Sequence, residues 1–335
     1  MTDPAGSLAE VGGADRSCVA VVGAGSIGVA WALVFARAGH PVVVQDPDPA
    51  RLTSAPEELR TRLLALDAHG LLDEPVDVVG GRVAATADVT EAVAVAVHVQ
   101  ECAPEDVDLK RRLFAQLDGL APPDAVLASS SSALTCSSFA ADVVGRRRCL
   151  VVHPGNPPYL LPVAELVPAP FTAPEVVDRT DALLSAVGMS VVRVEREVEG
   201  FVFNRLQGAL LREAYCLVRD GVVTADDLDR VVRDGLGRRW AVLGPFATAE
   251  LNTRGGIEAH AARLGAAYAR MGAERGQDDP WSDTLVGLVA TQLHRVLPPD
   301  QWEDQVLLRD ARLMVLERAR RDSALFSADD RHEKA

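Results

Sequence analysis

Short apolar runs alternate with longer stretches of helical periodicity up to about residue 200. The runs lie near residues 18–23, 41–45, 82–85, 95–100, 125–128 and 149–152. Strands that alternate with helices in this way predict a mostly parallel sheet, doubly wound by helices on both faces. The continuously apolar runs at 19–22 and 41–44 suit strands that are buried on both faces. We therefore expect an α/β fold for this part of the chain.

After about residue 200 the pattern predicts helices only. One apolar stripe at helical spacing comprises Leu206, Leu210, Leu211, Ala214, Leu217 and Val218. Thr224, with Asp227 three residues later, matches a capping box at the start of the next helix. The second half of the chain is therefore predicted to be all-helical.

The change of pattern predicts two domains. We place the boundary near Glu199–Gly200, so that the predicted domains are 17–199 and an all-helical C-terminal domain at 200–322. Residues 1–16 are polar and rich in Gly and Ala, and residues 323–335 form a charged run. We expect both ends to fray and to carry no function.

A glycine-rich turn follows the first predicted strand. From residue 19 the chain reads Val-Ala-Val-Val-Gly-Ala-Gly-Ser-Ile-Gly and then continues as a helix. Gly23 allows the tight turn, Gly25 lets the backbone approach a pyrophosphate, and Gly28 lets the helix pack closely on the strand. Ser26 and Ile27 lie at the helix N-terminus, where backbone N–H groups bind anions. The turn is therefore predicted to bind a dinucleotide.

An acidic residue, Asp46, ends the second predicted strand, about 20 residues after the glycines, where a carboxylate bonds the adenosine ribose hydroxyls. A carboxylate there repels a 2′-phosphate, which favours NAD over NADP. Glycines often serve turns alone, but here strand, turn, helix and acid agree. The sequence therefore predicts an N-terminal Rossmann-type doubly wound sheet with NAD as cofactor.

Composition and charge exclude several classes of protein. The 335 residues are 48% hydrophobic, which is enough for two packed cores, and the formal net charge of −14 argues against nucleic acid or an anionic membrane as partner. No apolar run approaches the ~20 residues that span a bilayer, and no basic segment precedes an apolar one near Met1. We expect a cytoplasmic protein. The five cysteines are scattered without Cys-x-x-Cys spacing, so no metal site is predicted.

Polar residues follow two neighbouring apolar runs, where open α/β sheets bind ligands. They are the serines at 129–132 and His153, with Glu165 further along the chain. A histidine takes the proton of an alcohol during oxidation, and a carboxylate on its other nitrogen selects the tautomer. His153 and Glu165 suit these roles if the chain between them folds back as a hairpin. A histidine that caps a strand, and serines that form turns or helix caps, are the alternative interpretation.

Several motifs in one order resemble the 3-hydroxyacyl-CoA dehydrogenase superfamily, and within it the lambda-crystallin or L-gulonate 3-dehydrogenase branch. Besides the glycine turn and the serine run, the resemblance is carried by residues 99–105, 153–159, 165–168, 178–180, 200–207 and 234–237. It extends from about residue 17 to about residue 320. It implies a homodimer formed mostly through the helical half.

The resemblance also implies an active site. By motif position its catalytic residues are Ser132, His153, Glu165 and Asn204, with His153 as general base and Glu165 orienting it. Ser132 and Asn204 would hold the substrate oxygen, although Asn204 alone is also typical of a residue at the start of a helix. Glu101, just past the fourth predicted strand, is expected near the nicotinamide ribose, or else as a cap of the next helix.

The expected substrate is a small hydroxy acid, L-gulonate or a related acid, oxidised at C3. Residues 49–81 contain Arg51, Arg60 and Arg62 but no lysine, which with the overall acidity disfavours a polyanionic CoA ester. Arg239, beside Arg238, offers a fork for one carboxylate, and the resembling branch has a similarly placed arginine. Exposed arginines with no ligand are the alternative. Rival functions are a short-chain 3-hydroxyacyl-CoA dehydrogenase and a non-catalytic, crystallin-like NAD-binding protein.

Overall fold

The computed structural model describes residues 17–275, 282–295 and 298–322 of the chain. The two ends that were expected to fray, 1–16 and 323–335, lie outside the described residues. An eight-stranded sheet flanked by helices is followed by a helical region. The predicted α/β fold, a Rossmann-type sheet followed by helices, is confirmed.

The strand order of the sheet is β3-β2-β1-β4-β5-β6-β7-β8. The strands are β1 Val19–Val22, β2 Val42–Gln45, β3 Val83–Thr86, β4 His98–Glu101, β5 Val126–Ser129, β6 Cys149–Pro154, β7 Val163–Pro168 and β8 Ser190–Arg193. The first six strands are parallel, whereas β7 runs antiparallel to β6, and β8 runs parallel to β7. The carboxyl ends of β1, β4, β5 and β6 therefore meet at one edge, where ligands bind in such sheets.

The helices between and after the strands vary from one turn to more than five. Those among and just after the strands are α1 Ser26–Arg37, α2 Pro49–Ala68, α3 Val76–Gly80, α4 Val89–Val93, α5 Val107–Leu120, α6 Cys136–Ala140 and α7 Pro174–Ala186. The later ones are α8 Phe203–Arg219, α9 Ala225–Val231, α10 Gly237–Trp240, α11 Pro245–Asn252, α12 Gly256–Ala273, α13 Asp283–Leu293 and α14 Trp302–Asp322. None of those in the described ranges combines the length and apolarity that crossing a bilayer requires.

Two apolar layers cover the two faces of the sheet. On one face Val21 of β1 packs in a cluster with Trp31 of α1, which is fully buried. On the other face Val22 belongs to a second cluster with Phe114 of α5. Neighbouring residues of β1 point to opposite layers because the side-chain period of a strand is two. This explains why β1 is apolar throughout.

The chain divides into two compact units. The first comprises the residues up to Asn204 together with those from Leu308 onward, and the second is Arg205–Leu307. The later part of α14 belongs to the first unit because Met314 is buried in its core and Arg318 donates to the carbonyl of Gly70. The prediction from sequence had placed every helix after residue 200, up to residue 322, in one domain.

The second unit buries few side chains. Cys216, Val218, Ala225, Thr248 and Leu285 are its buried residues within the described part of the chain. The predicted capping box is present, since the hydroxyl of Thr224 accepts the N–H of Asp227 at 3.2 Å. Much of the predicted apolar stripe on α8 is exposed, with Leu206 at 62%.

Candidate active site

The glycine turn between β1 and α1 has the shape that a pyrophosphate needs. Gly23 has φ +107°, and a Cβ there would lie 2.7 Å from the carbonyl oxygen of Cys102. A Cβ on Gly28 would lie 1.8 Å from the carbonyl oxygen of Gly23, so a larger residue would displace the turn. Above Gly25 the space is open, and the N-terminus of α1 has no side-chain cap. Free N–H groups at a helix N-terminus that ligands can approach fit the phosphates of NAD.

Asp46 lies beside this turn. Its Oδ2 accepts the N–H of Ala24 at 2.8 Å, and its Oδ1 accepts the N–H of Asp48 at 2.9 Å. Each carboxylate oxygen accepts more than one hydrogen bond, so both retain acceptor capacity. The side chain is half-buried. Asp46 therefore lies beside the glycine turn with acceptor capacity left, and its contact with the ribose stays a prediction.

Ser26, the first residue of α1, is held by Arg62 of α2. The guanidinium donates to the carbonyl of Ser26 at 2.9 Å and to its hydroxyl at 2.7 Å. It also pairs with Glu58 and lies 5.6 Å from the centre of the Tyr159 ring. Because the serine hydroxyl accepts from Arg62, its own hydrogen stays free for a phosphate. Ile27, beside Ser26, is partly buried and packs against the core.

His153 and Glu165 face each other across the β6–β7 ladder. The two strands form the antiparallel hairpin that the prediction required, and the two residues are direct cross-strand partners. The distance from His153 Nδ1 to Glu165 Oε2 is 2.7 Å, and both side chains are buried. Among the described residues His153 Nε2 has no hydrogen-bond partner. The imidazole therefore has one nitrogen engaged and one available.

The other oxygen of Glu165 is bound by the backbone. Oε1 accepts the N–H groups of Val202 at 2.7 Å and Phe203 at 2.9 Å. Phe201, just before them, has φ +50°, which is uncommon for a bulky residue, and its ring centre lies 5.5 Å from that of His153. Strained backbone of this kind concentrates at functional sites. Here it turns two N–H groups towards one carboxylate.

These contacts determine the charge of Glu165 and the tautomer of His153. Burial alone would raise the pKa of Glu165, but the hydrogen bonds from His153, Phe203 and Val202 outweigh it and hold that pKa below its ordinary value. An ionised carboxylate only accepts hydrogen bonds, so the proton of a neutral His153 must be on Nδ1. The lone pair is then on Nε2, where a base needs it.

Three of the four serines at the end of β5 have inward hydrogen bonds. Ser129 donates to Glu101 at 2.5 Å, and Ser131 donates to Glu105 at 2.5 Å. The hydroxyl of Ser130 receives hydrogen bonds from Trp31, at 3.1 Å, and Gln100, at 2.7 Å, and it contacts Cys102 at 3.2 Å. These three serines therefore serve the structure of the loop, in line with the alternative interpretation of the serine run.

Ser132 differs from the other three serines. It is exposed, and its hydroxyl has no hydrogen-bond partner within the described ranges. The Nδ2 of Asn204 donates to the backbone carbonyl of Ser132 at 2.8 Å, so the structure brings these two predicted residues together. Because β5 and β6 are parallel neighbours with Ser129 opposite Val151, Ser132 and His153 follow adjacent strand ends. One hydrogen of the Asn204 amide remains free, since the group has two.

Glu101 is not placed as predicted. It is the last residue of β4, is fully buried, and pairs with Lys110 at 2.8 Å and 2.9 Å. Its carboxylate has no exposed surface to offer a ribose. It does not cap α5 either, because Asp106 does so by accepting the N–H of Leu109. The physical reason is the buried lysine, whose charge needs a partner of opposite sign.

Sequence reasoning missed Lys110 and Glu105. Both lie next to residues 131–134, which follow β5 and are called the serine loop below. Lys110 is buried on α5 at helical spacing with Phe114 and Leu117. A lysine on an apolar stripe indicates a buried ion pair, and this signal was present in the sequence. Glu105 accepts hydrogen bonds from the serine loop and lies 3.8 Å from the Lys110 ammonium.

Arg239 belongs to the second unit. It lies on α10, directly after a π-helical turn at Val232–Leu236, and is exposed. Arg233 in that turn pairs with Asp234, whereas Arg239 makes no ion pair with any residue in the described part of the chain. Its guanidinium is therefore available to a carboxylate.

Comparison with known proteins finds matches to one protein family across nearly the whole chain. Residues 18–198 match the model of the NAD binding domain of 3-hydroxyacyl-CoA dehydrogenase, and residues 200–289 match its C-terminal domain. The chain is 42% identical over 324 residues to the lambda-crystallin homolog of Bos taurus, covering 91% of this chain and 98% of that protein. It is 40% identical over 242 residues to the L-carnitine dehydrogenase of Streptomyces griseus, covering 72% and 71%.

A solved structure is similar over the same extent. The structure of 5-formyl-3-hydroxy-2-methylpyridine 4-carboxylic acid 5-dehydrogenase, an NAD+ dependent dismutase, has a TM-score of 0.78 and 29% identity. The similarity covers 91% of this chain and 98% of that one. The prediction of NAD as cofactor is confirmed by these matches.

Proposed function

The chain belongs to the 3-hydroxyacyl-CoA dehydrogenase family, and we propose that it oxidises the C3 hydroxyl of a small 3-hydroxy acid, L-gulonate or a related acid, to the 3-oxo acid. Membership makes it an NAD-dependent oxidoreductase that acts on a CH–OH group. The observation that carries the proposal is the His153–Glu165 pair, with Nδ1 bound to the carboxylate and Nε2 available.

The proposed mechanism separates the proton from the hydride. Bound NAD supplies the hydride acceptor for the hydrogen on C3. His153 removes the hydroxyl proton through Nε2 as the carbon–oxygen double bond forms, so that one proton and one hydride leave the alcohol. Glu165 stabilises the resulting imidazolium and keeps its ring in place. The hydrogen bonds from Val202 and Phe203 hold Glu165 ionised for this purpose.

Ser132 and Asn204 are proposed to bind the reacting oxygen. The Ser132 hydroxyl is exposed and has no partner in the part of the chain that the structure describes. The second amide hydrogen of Asn204 is also free, because the first is bound to the carbonyl of Ser132. Donors held in advance at a developing carbonyl lower the barrier without reorganising during the reaction. By holding the reacting oxygen they would also fix the orientation of C3 in the site.

Two observations favour a free acid as substrate. Arg239 is exposed and without an ion-pair partner in the described ranges, and a guanidinium binds one carboxylate with two hydrogen bonds. Among the relatives, L-carnitine dehydrogenase is named for L-carnitine and not for a CoA ester. The family model itself favours the second candidate, a short-chain 3-hydroxyacyl-CoA dehydrogenase with the same site.

We further propose that the chain forms a homodimer through its second unit. Large apolar side chains there are exposed in the single chain, among them Phe246 at 82%, Leu251 at 71% and Leu206 at 62%. Large apolar side chains exposed in this way are typical of an interface, and soluble oligomers are most often symmetric dimers. Sedimentation equilibrium should give about twice the chain mass of 35.6 kDa, and a monomer at micromolar concentration would refute the dimer.

A panel of substrates tests the proposed reaction. The purified protein is incubated with NAD and, separately, L-gulonate, L-3-hydroxybutyrate, carnitine or 3-hydroxybutyryl-CoA, and NADH absorbance is followed. We expect the highest kcat/KM for a free acid, with a loss of about 10- to 100-fold in Arg239→Met through KM. Arg238→Met is the matched control. Preference for the CoA ester would support the second candidate, and NAD binding without turnover of any compound would favour a non-catalytic role.

A further inference from the structure

The loop that carries Ser132 is folded around a carboxylate of the protein itself. Oε1 of Glu105 accepts the N–H groups of Ser132 at 3.1 Å, Ala133 at 3.0 Å and Leu134 at 3.2 Å. It also accepts the hydroxyl of Ser131 at 2.5 Å. Successive N–H groups that point at one anion form a nest, a structure that usually binds a ligand anion. Here the anion is a side chain from the segment after β4.

The carboxylate of Glu105 is in turn held by the ammonium group of Lys110. The other oxygen of Glu105 lies 3.8 Å from Nζ of Lys110, which is only 1% exposed. Lys110 lies on α5 and is bound to Glu101 at the end of β4, so Glu105 is held by a residue that is itself fixed between a helix and a strand. Glu105 therefore connects the serine loop to the rigid part of the sheet.

The contacts keep Glu105 ionised. Burial by itself would raise its pKa, but the bonds from the Ser131 hydroxyl and from the N–H groups of Ala133 and Leu134, with the charge of Lys110, hold the pKa below its ordinary value. A charged acceptor binds N–H groups about twice as strongly as a neutral one. The nest therefore depends on the charge as well as the shape of this side chain.

Both backbone groups of Ser132 are held by hydrogen bonds. Its N–H is bound by Glu105 and its carbonyl by Asn204. With these two groups anchored, the direction in which the side chain leaves the backbone is determined. The hydroxyl itself stays without a partner within the ranges described.

We propose that Glu105 is a positioning residue, which aims the Ser132 hydroxyl at the substrate oxygen by holding the loop at 131–134. Glu105 acts through Ser132 and does not need to touch the substrate. The inference rests on the proposed function, in which Ser132 binds the reacting oxygen. Glu105 has no role in the proposed mechanism itself. Its task is to preorganise Ser132, which has one.

The first test measures the loop without using activity. In Glu105→Gln the side chain keeps its size and can still offer one neutral amide oxygen to the nest, but it loses the charge, and its NH2 group replaces the oxygen that lies near the Lys110 ammonium. Amide hydrogen exchange of the free protein should show protection at Ser132, Ala133 and Leu134 reduced by about tenfold or more. Unchanged protection at these amides would overturn the proposal, whatever the activity of the variant.

The second test asks whether Glu105 acts through Ser132. The kcat/KM for the best hydroxy acid of the panel is measured at saturating NAD in Glu105→Gln, in Ser132→Ala and in the double variant. We expect Glu105→Gln to lose about tenfold or more, and to lose almost nothing further when Ser132 is already alanine. An equal loss in both backgrounds would overturn the proposal.

The same cycle separates this inference from the proposed function. A wild-type rate in Ser132→Ala would show that Ser132 does not bind the reacting oxygen, and the proposed role of Ser132 would fail first. A slow Ser132→Ala with an additive effect of Glu105→Gln leaves the role of Ser132 intact and refutes only the positioning by Glu105.

A matched control comes from Glu197, another acid that accepts the N–H of a serine, Ser137, at 2.8 Å and also its hydroxyl. Glu197→Gln should leave exchange at residues 132–134 and kcat/KM within about twofold of wild type. The same loss in this variant as in Glu105→Gln would reflect general loosening of the region and would overturn the proposal.

Discussion

Two buried acid–base pairs lie at the same edge of the sheet and differ in how completely they are satisfied. Lys110 and Glu101 are 1% and 0% exposed, and the ammonium donates to both oxygens of Glu101 and to the carbonyl of Ala103 at 3.3 Å. Its three donors are all used. His153 is 7% exposed, and only its Nδ1 is engaged, by Glu165.

Burial alone does not distinguish a catalytic acid–base pair from a structural one. A pair with every donor and acceptor occupied inside the protein has nothing left for a substrate. In the His153–Glu165 pair the Nε2 atom has no partner among the described residues, and the carboxylate beside the ring stabilises the imidazolium. This pair is therefore prepared to take a proton. Four substitutions test this contrast, and their expected effects decrease in the order His153, Lys110, Glu165 and Asp46.

Replacing His153 should have the largest effect. In His153→Asn the general base is lost, so kcat should fall by about 10²- to 10⁴-fold, while the dissociation constant of NAD stays unchanged. Steady-state kinetics and calorimetric titration with NAD measure the two quantities. His98→Asn is a control, because burial lowers the pKa of that histidine to about 4 and it has no role in the mechanism. Unchanged turnover in His153→Asn would remove His153 from the reaction.

Replacing Lys110 should reduce stability more than it reduces turnover, because Lys110 reaches the serine loop only through Glu105. Lys110→Met leaves the Glu101 carboxylate buried without its partner, which costs about 3–5 kcal/mol of unfolding free energy. Urea unfolding measures the loss, and the double variant Glu101→Gln/Lys110→Met should recover part of it. A shift as small as that of an exposed substitution would contradict the contrast between the two pairs.

The contribution of Glu165 to stability should depend on pH. Its pKa is lowered in the folded protein, so its charge stabilises the fold above the unfolded value of about 4.3, and this contribution is lost as the pH falls through the folded pKa. The urea midpoint of wild type should exceed that of Glu165→Gln at pH 7, and the difference should shrink below about pH 4. Glu57→Gln, at an exposed position of α2, should show no such trend. A constant difference across this range would contradict the assignment.

Asp46 is an intermediate case, half-buried and bound by two backbone N–H groups, and should have the smallest effect. Asp46→Ala should reduce the preference for NAD over NADP by about tenfold, since one charged hydrogen-bond acceptor for the ribose is lost. The ratio of the kcat/KM values for the two cofactors measures it. Asp48→Ala, which removes only the cap of α2, should leave the ratio unchanged. An unaltered ratio in Asp46→Ala would refute the ribose contact.

The fold was predictable where strands coincide with short apolar runs. The six apolar runs of the sequence correspond to β1 to β6, of which all except β3 are buried throughout. Strands β7 and β8 were not among those runs, for local reasons. β7 carries Glu165 at its centre, and β8 is an edge strand whose residues are largely exposed, so neither is continuously apolar. Pairing with a neighbour, which a single segment does not reveal, determines that they are strands.

The site was predictable only in part. The hairpin brings His153 and Glu165 together, and the roles of both remain predictions that the experiments above test. Glu101 and Glu105 are acids four residues apart, and the sequence by itself did not show which of them is fully buried. Lys110 lies on the buried stripe of α5 and pairs with Glu101, whereas Glu105 binds the serine loop. Contacts across such distances depend on tertiary packing, which local patterns do not contain.

The return of α14 to the first unit has a consequence for how the protein is made. Met314 completes a core whose other members precede residue 205. On the ribosome the sheet domain must therefore wait, with a gap in its surface, while about a hundred further residues are synthesised. A nascent chain that stalls within the second unit would expose that gap, and chaperones that bind exposed apolar surface would be expected to hold it until the last helix arrives.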